Sequence, residues 1–372
     1  MKKSFLLKGL TILLLLTLFG CTTNEYYTTA PTENIGKTNV YIEGNLTDAE
    51  CAAKLKAEVG TLTENIYIGS ALRPLNNVTI LELDIPTNVR NIDFSGFYNN
   101  LKTIKIKGHG AMPESYLKFY SGIKTENILI EGITELFDVD LLFHSEIEQP
   151  ATLICNNLEY VHRNFQAGGG YSGGIIANNL VCNDLKYINP NATYTSSYIG
   201  IIGVFNTLSF NSLKKVDSLK LELGGGGIVT DIMFPALEQS RGIGVNTMYN
   251  NYQIGLNSIS FPLITELSTL IISDNFVATV NLPALTKCIN INLKDEVLPA
   301  TVINIPNLNN CTSYKSNIKL TSEGVNAVLN RFLTMQPVSG KTINLLNEVA
   351  PTGQGLIDKQ TLITQGNQVW SN

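Results

Sequence analysis

Apolar residues recur at fixed offsets through much of this chain, and that recurrence leaves few folds open to it. Two consecutive copies read Val280, Leu282, Pro283, Leu285, Cys288 and Ile303, Ile305, Pro306, Leu308, Cys311. With the Leu as position zero, apolar residues stand at −5, −3, 0 and +3 and Pro at −2. The −5/−3 alternation predicts a strand with one buried face. Pro at −2 cannot donate to a ladder and predicts a turn. Five more copies have zero positions at Leu158, Leu185, Leu213, Leu237 and Ile264, making seven copies spaced 21 to 28 residues apart. Weaker sets stand upstream at Ile92, Phe94, Phe97 and at Ile128, Ile130, Ile133, Leu136. No unit of this size buries its apolar face alone. Stacked neighbours sharing one core, a solenoid, are the expected solution.

Several copies carry a second alternating pair at +6 and +8: Leu219 and Leu221, Ile243 and Val245, Leu270 and Ile272, Ile291 and Leu293. Each coil therefore holds at least two strand segments and little room for a helix. The ends differ. Thr47 or Asp48 is a good N-cap for a helix over 49–59 with Cys51, Leu55 and Val59 on one face, stopped at Gly60. Thr321 caps a second helix over 322–333, with Val325, Val328, Leu329 and Phe332 buried, and a strand over 342–346 follows. The class expected is mostly β, one solenoid domain with short helical caps at both ends, over about 39–320 with a capping module over 321–372.

The N-terminus reads as an export signal. Lys2, Lys3 and Lys8 precede an apolar run from Leu10 to Phe19 that is too short to span a bilayer. The run ends Leu18, Phe19, Gly20, Cys21, which resembles the lipobox of bacterial lipoproteins. That resemblance implies a signal over 1–20, a lipid on the Cys21 sulfur and a membrane partner reached through it. Thr22 in place of the Asp that retains lipoproteins at the inner membrane implies the outer membrane. Residues 21–38, rich in Thr and Asn, read as a flexible tether. Cys155 and Cys182 share offset −3, and Cys288 and Cys311 share +3. A disulfide between equivalent positions is sterically conceivable. Small apolar thiols filling a core ladder are the better reading, since Phe, Leu, Val and Ile fill the same slots.

The last 50 or so residues carry a recognisable order: helix, Leu-rich strand, Pro351-x-Gly353-x-Gly355, Asp358-Lys359-x-x-Leu362, Gly366, final strand. This resembles the C-terminal cap of leucine-rich-repeat proteins of Bacteroidetes-type bacteria and their phages. The repeats themselves are similar to those of BspA-like surface lipoproteins. Asn or Pro at −2 departs from the usual consensus. The resemblance implies a leucine-rich-repeat fold exposed on the cell surface and a role in binding or adhesion to a glycan or a host or partner protein.

Chemistry is sparse. Charged residues are 15% of the chain, where about 25% is usual, and the net charge is −5 with no basic cluster beyond the first eight residues. Nucleic acid is not an expected partner. His109, His144 and His162 share no offset and no metal-ligand spacing. The reading is of no enzyme, no metal and no cofactor. Asp138, Asp140, Glu146 and Glu148 cluster in one segment, read as a solvated acidic loop with no Arg or Lys at the same offset on adjacent coils. Two glycine runs, 168–174 and 224–227, lack the strand, helix and Lys of a phosphate loop and read as bulges from one side of the stack.

Aromatic residues offer the better clue. Tyr171, Tyr198 and Tyr249 fall at +12 or +13 of three repeats and Phe276 at +12 of another, with Tyr194 and Tyr252 nearby. Equal offsets predict a stripe along a solenoid. An exposed aromatic stripe stacks on sugar rings or seats a protein; the bland alternative is rings packed into loop cores. Alternative functions are a polysaccharide-active β-helix enzyme, whose sign would be acidic and basic residues converging on one coil face, and a structural surface-layer component, whose sign would be self-association.

Overall fold

The computed structural model describes residues 34–94, 96, 98–120, 125–143, 151–169, 177–191, 198–203, 205, 207–223, 231–246, 256–273, 277–294 and 302–372. The chain divides into two units, Met1–Asn34 and Ile35–Asn372, and the strands and helices belong to the second. The chain as a whole is mostly β, 49% strand and 13% helix, and every strand pairing among the described residues is parallel.

One long ladder runs from end to end of this unit. It begins Asn39–Ile42, Asn65–Ile68, Asn91–Phe94 and continues through the second halves of Thr103–Tyr120 and Asn127–Phe143. Phe165–Gly169, Ile199–Gly203 and the later part of Lys215–Leu223 follow, and the ladder ends at Thr342–Leu345 and Gln368–Ser371. A second set of parallel strands lies across the coil and includes Ile80–Asp84, the segments 103–107 and 127–130, Ala151–Cys155, Ala177–Val181 and Thr207–Ser209. It resumes as Asp231–Met233, Leu256–Ser260, Val277–Asn281 and Val302–Asn304.

The repeat offsets are the coil's geometry. The −5 residues align across this second set, Leu153 with Leu180 with Leu208, and Ile232 with Ile259 with Val280 with Ile303. All seven zero positions are buried, none more than 1% exposed, so they form the predicted column. The turn has a simple cause. In five copies the zero-position N–H donates to the −3 carbonyl, as from Leu237 to Phe234 at 3.3 Å and from Leu285 to Leu282 at 3.1 Å. That is a β-turn with −2 at its second position, where the fixed φ of Pro is preset. The +6 and +8 pairs then align in the long ladder, Leu219 with Ile243, Leu270 and Ile291, and Leu221 with Val245, Ile272 and Leu293.

At −3 the core carries a run of aromatic rings. Phe210 stacks on Phe234 at 5.9 Å between centroids and Phe234 on Phe261 at 5.4 Å, all fully buried. Cys155 and Cys182 head the same column, and Cys288 sits beside Cys311 in register at +3. All are free and buried, and burial pushes the thiols of Cys288 and Cys311 up to about 12. They are core-filling thiols, as the offsets suggested. Asn183 at −2 bridges coils: its Oδ1 accepts from the Ser209 hydroxyl at 2.5 Å and from Asn211 N–H at 3.4 Å.

One upstream set is out of phase with the others. Ile92 and Phe94 belong to the long ladder, whereas the −5/−3 pairs all lie in the second set. The equivalents there are Ile104 and Ile106, which pair with Ile128 and Ile130. Alternation reports which residues point inward and is silent about which side of the coil they occupy.

Helices replace the second strand at both ends. Helix α1 (Asp48–Glu58) has a capping box, Thr47 Oγ1 accepting from Glu50 N–H while Glu50 Oε2 accepts from Thr47 N–H at 2.9 Å. Helix α2 (Ser322–Thr334) is capped by Thr321 and buries Val325, Leu329 and Phe332, with Val328 only partly covered. Helix α3 (Gln354–Thr364) lies between the last two strands and is not marked in the sequence. Its N-cap is Gly353 at φ 48°, with no capping side chain and no acid in the first turn, so the usual start signals are missing.

Polar side chains bolt the C-terminal end. Glu348, 2% exposed, accepts from Ser316 Oγ (2.6 Å), Ile318 N–H (2.8 Å) and Leu320 N–H (2.6 Å). Lys341 is fully buried and donates to the carbonyls of Met335, Pro337 and Val338; burial lowers its pKa.

Candidate functional site

The outward face of the long ladder is built by strand alternation. Between the buried columns stand two rows of side chains aligned coil to coil. One row runs Asp93, Lys118, Asp140, Gln166, Gly200, Lys220, Gly244, Ile271. The row beside it includes Tyr116 and Asp138 and, farther along, Ser218, Gly242 and Thr269.

Tyr198 stands in this second row. Ile199 pairs with Phe165 on one side and Leu219 on the other, so Tyr198 lies between Asn164 and Ser218. Its N–H donates to Asn164 Oδ1 at 3.1 Å and its hydroxyl to Gln166 Oε1 at 2.9 Å. The half-buried ring lies over Gly200; a Cβ there would come within 2.8 Å of Tyr198 Cε2. Burial, then the nearby Asp140 charge, raises the phenol's pKa.

Counting offsets misplaces this ring. Ser218, Gly242 and Thr269 all stand at +5, whereas Tyr198 is at +13 and occupies the same row. The coil after Leu185 is longer at its corner, and that insertion shifts the count. The expected +12/+13 flank therefore does not describe Tyr198. Tyr171, Tyr194, Tyr249, Tyr252 and Phe276 lie outside the described residues, as do Cys21, Phe97, His144, Glu146, Glu148 and the second glycine run. Of the first run, Gly168 and Gly169 close strand Phe165–Gly169.

Tyr198 walls a groove of about 630 Å³ whose floor is Gly242, Gly244 and Ser218 and whose other sides are Lys220, Arg241 and Ile271. A second hollow of about 590 Å³ adjoins it across Arg241, which pairs with the buried Asp217 at 2.8 Å. The small residues bring the backbone to the surface between the Tyr198 ring, Lys220, which pairs with Glu222, and Arg241.

The described part of the acidic segment is strand rather than a solvated loop. Asp138 and Asp140 lie on the strand Asn127–Phe143, and Asp138 is only 8% exposed. Basic partners do stand on the adjacent coils. Arg163 pairs with Asp138 and its guanidinium lies 5.9 Å from the Tyr116 ring and 5.6 Å from Phe137. Lys118 is in register with Asp140. Arg163 stands at +5 of Leu158, the offset that Asp138 takes from Ile133, so the expected lack of a basic residue at that offset does not hold; Lys118 lies upstream of the clear repeats. Asp140 Oδ1 is buried without a hydrogen-bond partner.

Both carboxyls have raised pKa values, Asp138 through burial that outweighs Arg163, Asp140 through burial and then the Asp138 charge. Below the ordinary carboxylate range they cost the fold nothing. The penalty of holding them ionised grows as pH rises through their raised values. Asp140→Asn is accordingly expected to raise the melting temperature at pH 7 and to leave it nearly unchanged at pH 3. Destabilisation at pH 7 would contradict the burial account.

The remaining described histidines act locally. His162 meets Glu135 at 3.2 Å and His109 meets Asp84 at 2.5 Å, in each case on a neighbouring coil. Among the described residues no three His, Cys, Asp or Glu side chains are grouped to hold a metal, and no helix is long and apolar enough to cross a membrane. Comparison with family models, with curated proteins and with solved structures found no match.

Proposed function

We propose that this chain is a lipid-anchored surface protein of leucine-rich-repeat type, similar to BspA-like lipoproteins, that binds a glycan on the outward face of its long ladder. The observation that carries the reading is the groove beside Tyr198. It joins a half-exposed ring, a glycine floor and the two cations Lys220 and Arg241 on one sheet face. Sugars are held by ring stacking and by polar groups at a closely approached backbone, and this groove offers both. The β–α–β units at both ends support the repeat type, since each helix returns the chain to the same ladder.

A glycan array probed with the full chain tests it. Tyr198→Ala is expected to weaken the glycans bound by the wild type about tenfold, the usual worth of a stacked ring. Unchanged binding, or an array on which nothing binds, would overturn the assignment. Anchoring rests on Cys21 and the run before it. Fatty-acid labelling of cells is expected to mark the wild type and leave Cys21→Ala unmarked; equal labelling of both would refute the anchor.

A second reading, a polysaccharide-active enzyme, is favoured by one observation. Asp138 and Asp140, with raised pKa values, converge with Lys118 and Arg163 on the face that carries Tyr198. Turnover of a bound polysaccharide that is lost in Asp140→Asn would establish it.

A further inference from the structure

We propose that copies of this chain associate head to tail, with the edge of the last strand of one copy, Gln368–Ser371, adding to the edge of the first strand of the next, Asn39–Ile42. The inference is independent of the glycan reading. Among the described residues, Gln368–Ser371 pairs only with Thr342–Leu345, and Asn39–Ile42 only with Asn65–Ile68. Each therefore presents a row of backbone N–H and C=O groups with no strand beside it, the Ser371 carbonyl alone meeting a side chain, Lys359 Nζ at 3.3 Å, and so offers a template for a further parallel strand.

A second copy is the occupant that the two edges fit. Both strands alternate in the same phase: Val369 and Val40 point inward, while Gln368, Trp370, Asn39 and Tyr41 point out. Placing Gln368 beside Asn39 continues every row of the ladder without a shift. Val369 then meets Val40 in the core column. Trp370, 43% exposed, lies over Tyr41, 51% exposed, which already stacks on Tyr67 at 5.0 Å and 15°. Asn65 Nδ2 donates to Asn39 Oδ1 at 2.8 Å, and this same amide ladder extends to the Gln368 side chain.

The helices continue in the same order. In each copy α3 lies just before the last strand and α1 just after the first. Joining the edges sets α3, with Leu356 54% and Ile357 60% exposed, toward α1, whose exposed positions include Ala49, Ala52 and Ala53. An end-to-end contact of two different surfaces is heterologous, so each copy added leaves a free edge for the next and the product is a multimer of many copies rather than a closed pair.

Disulfide trapping in full-length chains tests this. Asn39→Cys and Gln368→Cys are prepared separately; both positions are exposed. Parallel neighbours lie ~4.8 Å apart, within disulfide range. Cys51, Cys155, Cys182, Cys288 and Cys311 are buried, and the wild type sets the background. On oxidation a mixture of the two variants is expected to give a covalent dimer that neither gives alone, and a chain carrying both changes a series of multimers. Sedimentation of the wild type, which needs no substitution, is expected to show mass rising with concentration, and Trp370→Ala to shift that rise about tenfold higher. A wild type that stays monomeric at ~100 µM, or Asn39→Cys that cross-links as readily to itself, would overturn the proposal.

Discussion

Phe234→Ala is expected to cost ~3–5 kcal/mol, the range for truncating a buried Phe. Phe234 is fully buried in the turn-side column, with Phe210 5.9 Å away on one side and Phe261 5.4 Å away on the other. Phe210 is fixed by a turn of the same kind and Phe261 by its N–H bond to the Asn281 carbonyl of the next coil, so the coils cannot slide together to close the cavity without breaking the register of Asp231–Met233 against Leu256–Ser260. Limited collapse puts the site at the high end of the range. Leu237→Ala, three residues on, is expected at ~2–5 kcal/mol. Chemical denaturation measures both. A loss under ~1 kcal/mol for Phe234→Ala would mean that the column is not packed as described.

Glu348→Ala is the second large effect, expected at ~3–5 kcal/mol. One carboxylate serves two backbone N–H groups and one hydroxyl where the chain leaves the strand Asn310–Asn317 and enters α2. Removing it orphans all three donors in a buried place. Asn372 Nδ2 also donates to the Glu348 carbonyl at 2.7 Å, which ties the chain's last residue to the same spot. Glu348→Gln keeps one acceptor oxygen and is expected to lose less than Glu348→Ala. Hydrogen exchange locates the damage: Ile318 and Leu320 amides are expected to exchange faster, while amides of the strand Asn91–Phe94, many coils away, keep their protection. Uniform loss of protection would contradict a local role.

What the residues alone disclose divides along a physical line. Burial of apolar side chains at period two and turns at Pro or Asn are local consequences of sequence, so the columns at Leu158, Leu213 and Leu308 can be read directly. The assignment of a strand to one side of the coil is not local. Ile92 and Phe94 alternate as well as Ile128 and Ile130 yet sit in a different ladder, because the number of residues spent at each corner decides the side. The same corner lengths move Tyr198 from its counted offset into the row of Ser218 and Gly242. The pairing of Lys118 with Asp140 lies upstream of the clear repeats and appears only once that registration is known, whereas Arg163 and Asp138 share the offset +5 and are legible from the count. Helix α3 escapes for a different reason: two glycines flank its start and no side chain caps it, so packing against α2 rather than propensity holds it.

The central claim is that successive coils stack in one register, so that equal positions form straight rows. Lys220 and Lys315, 95 residues apart in sequence, are exposed in the same row and separated by four ladder steps through Gly244, Ile271 and Asn292. At ~4.8 Å per step their Cα atoms stand ~19 Å apart. Spin labels on Lys220→Cys and Lys315→Cys, read by pulsed electron double resonance, are predicted to give one narrow distance distribution centred between about 15 and 30 Å once label length is added to that spacing. A broad distribution, or one centred beyond about 40 Å, would place the two lysines outside a common row and contradict the stacked register.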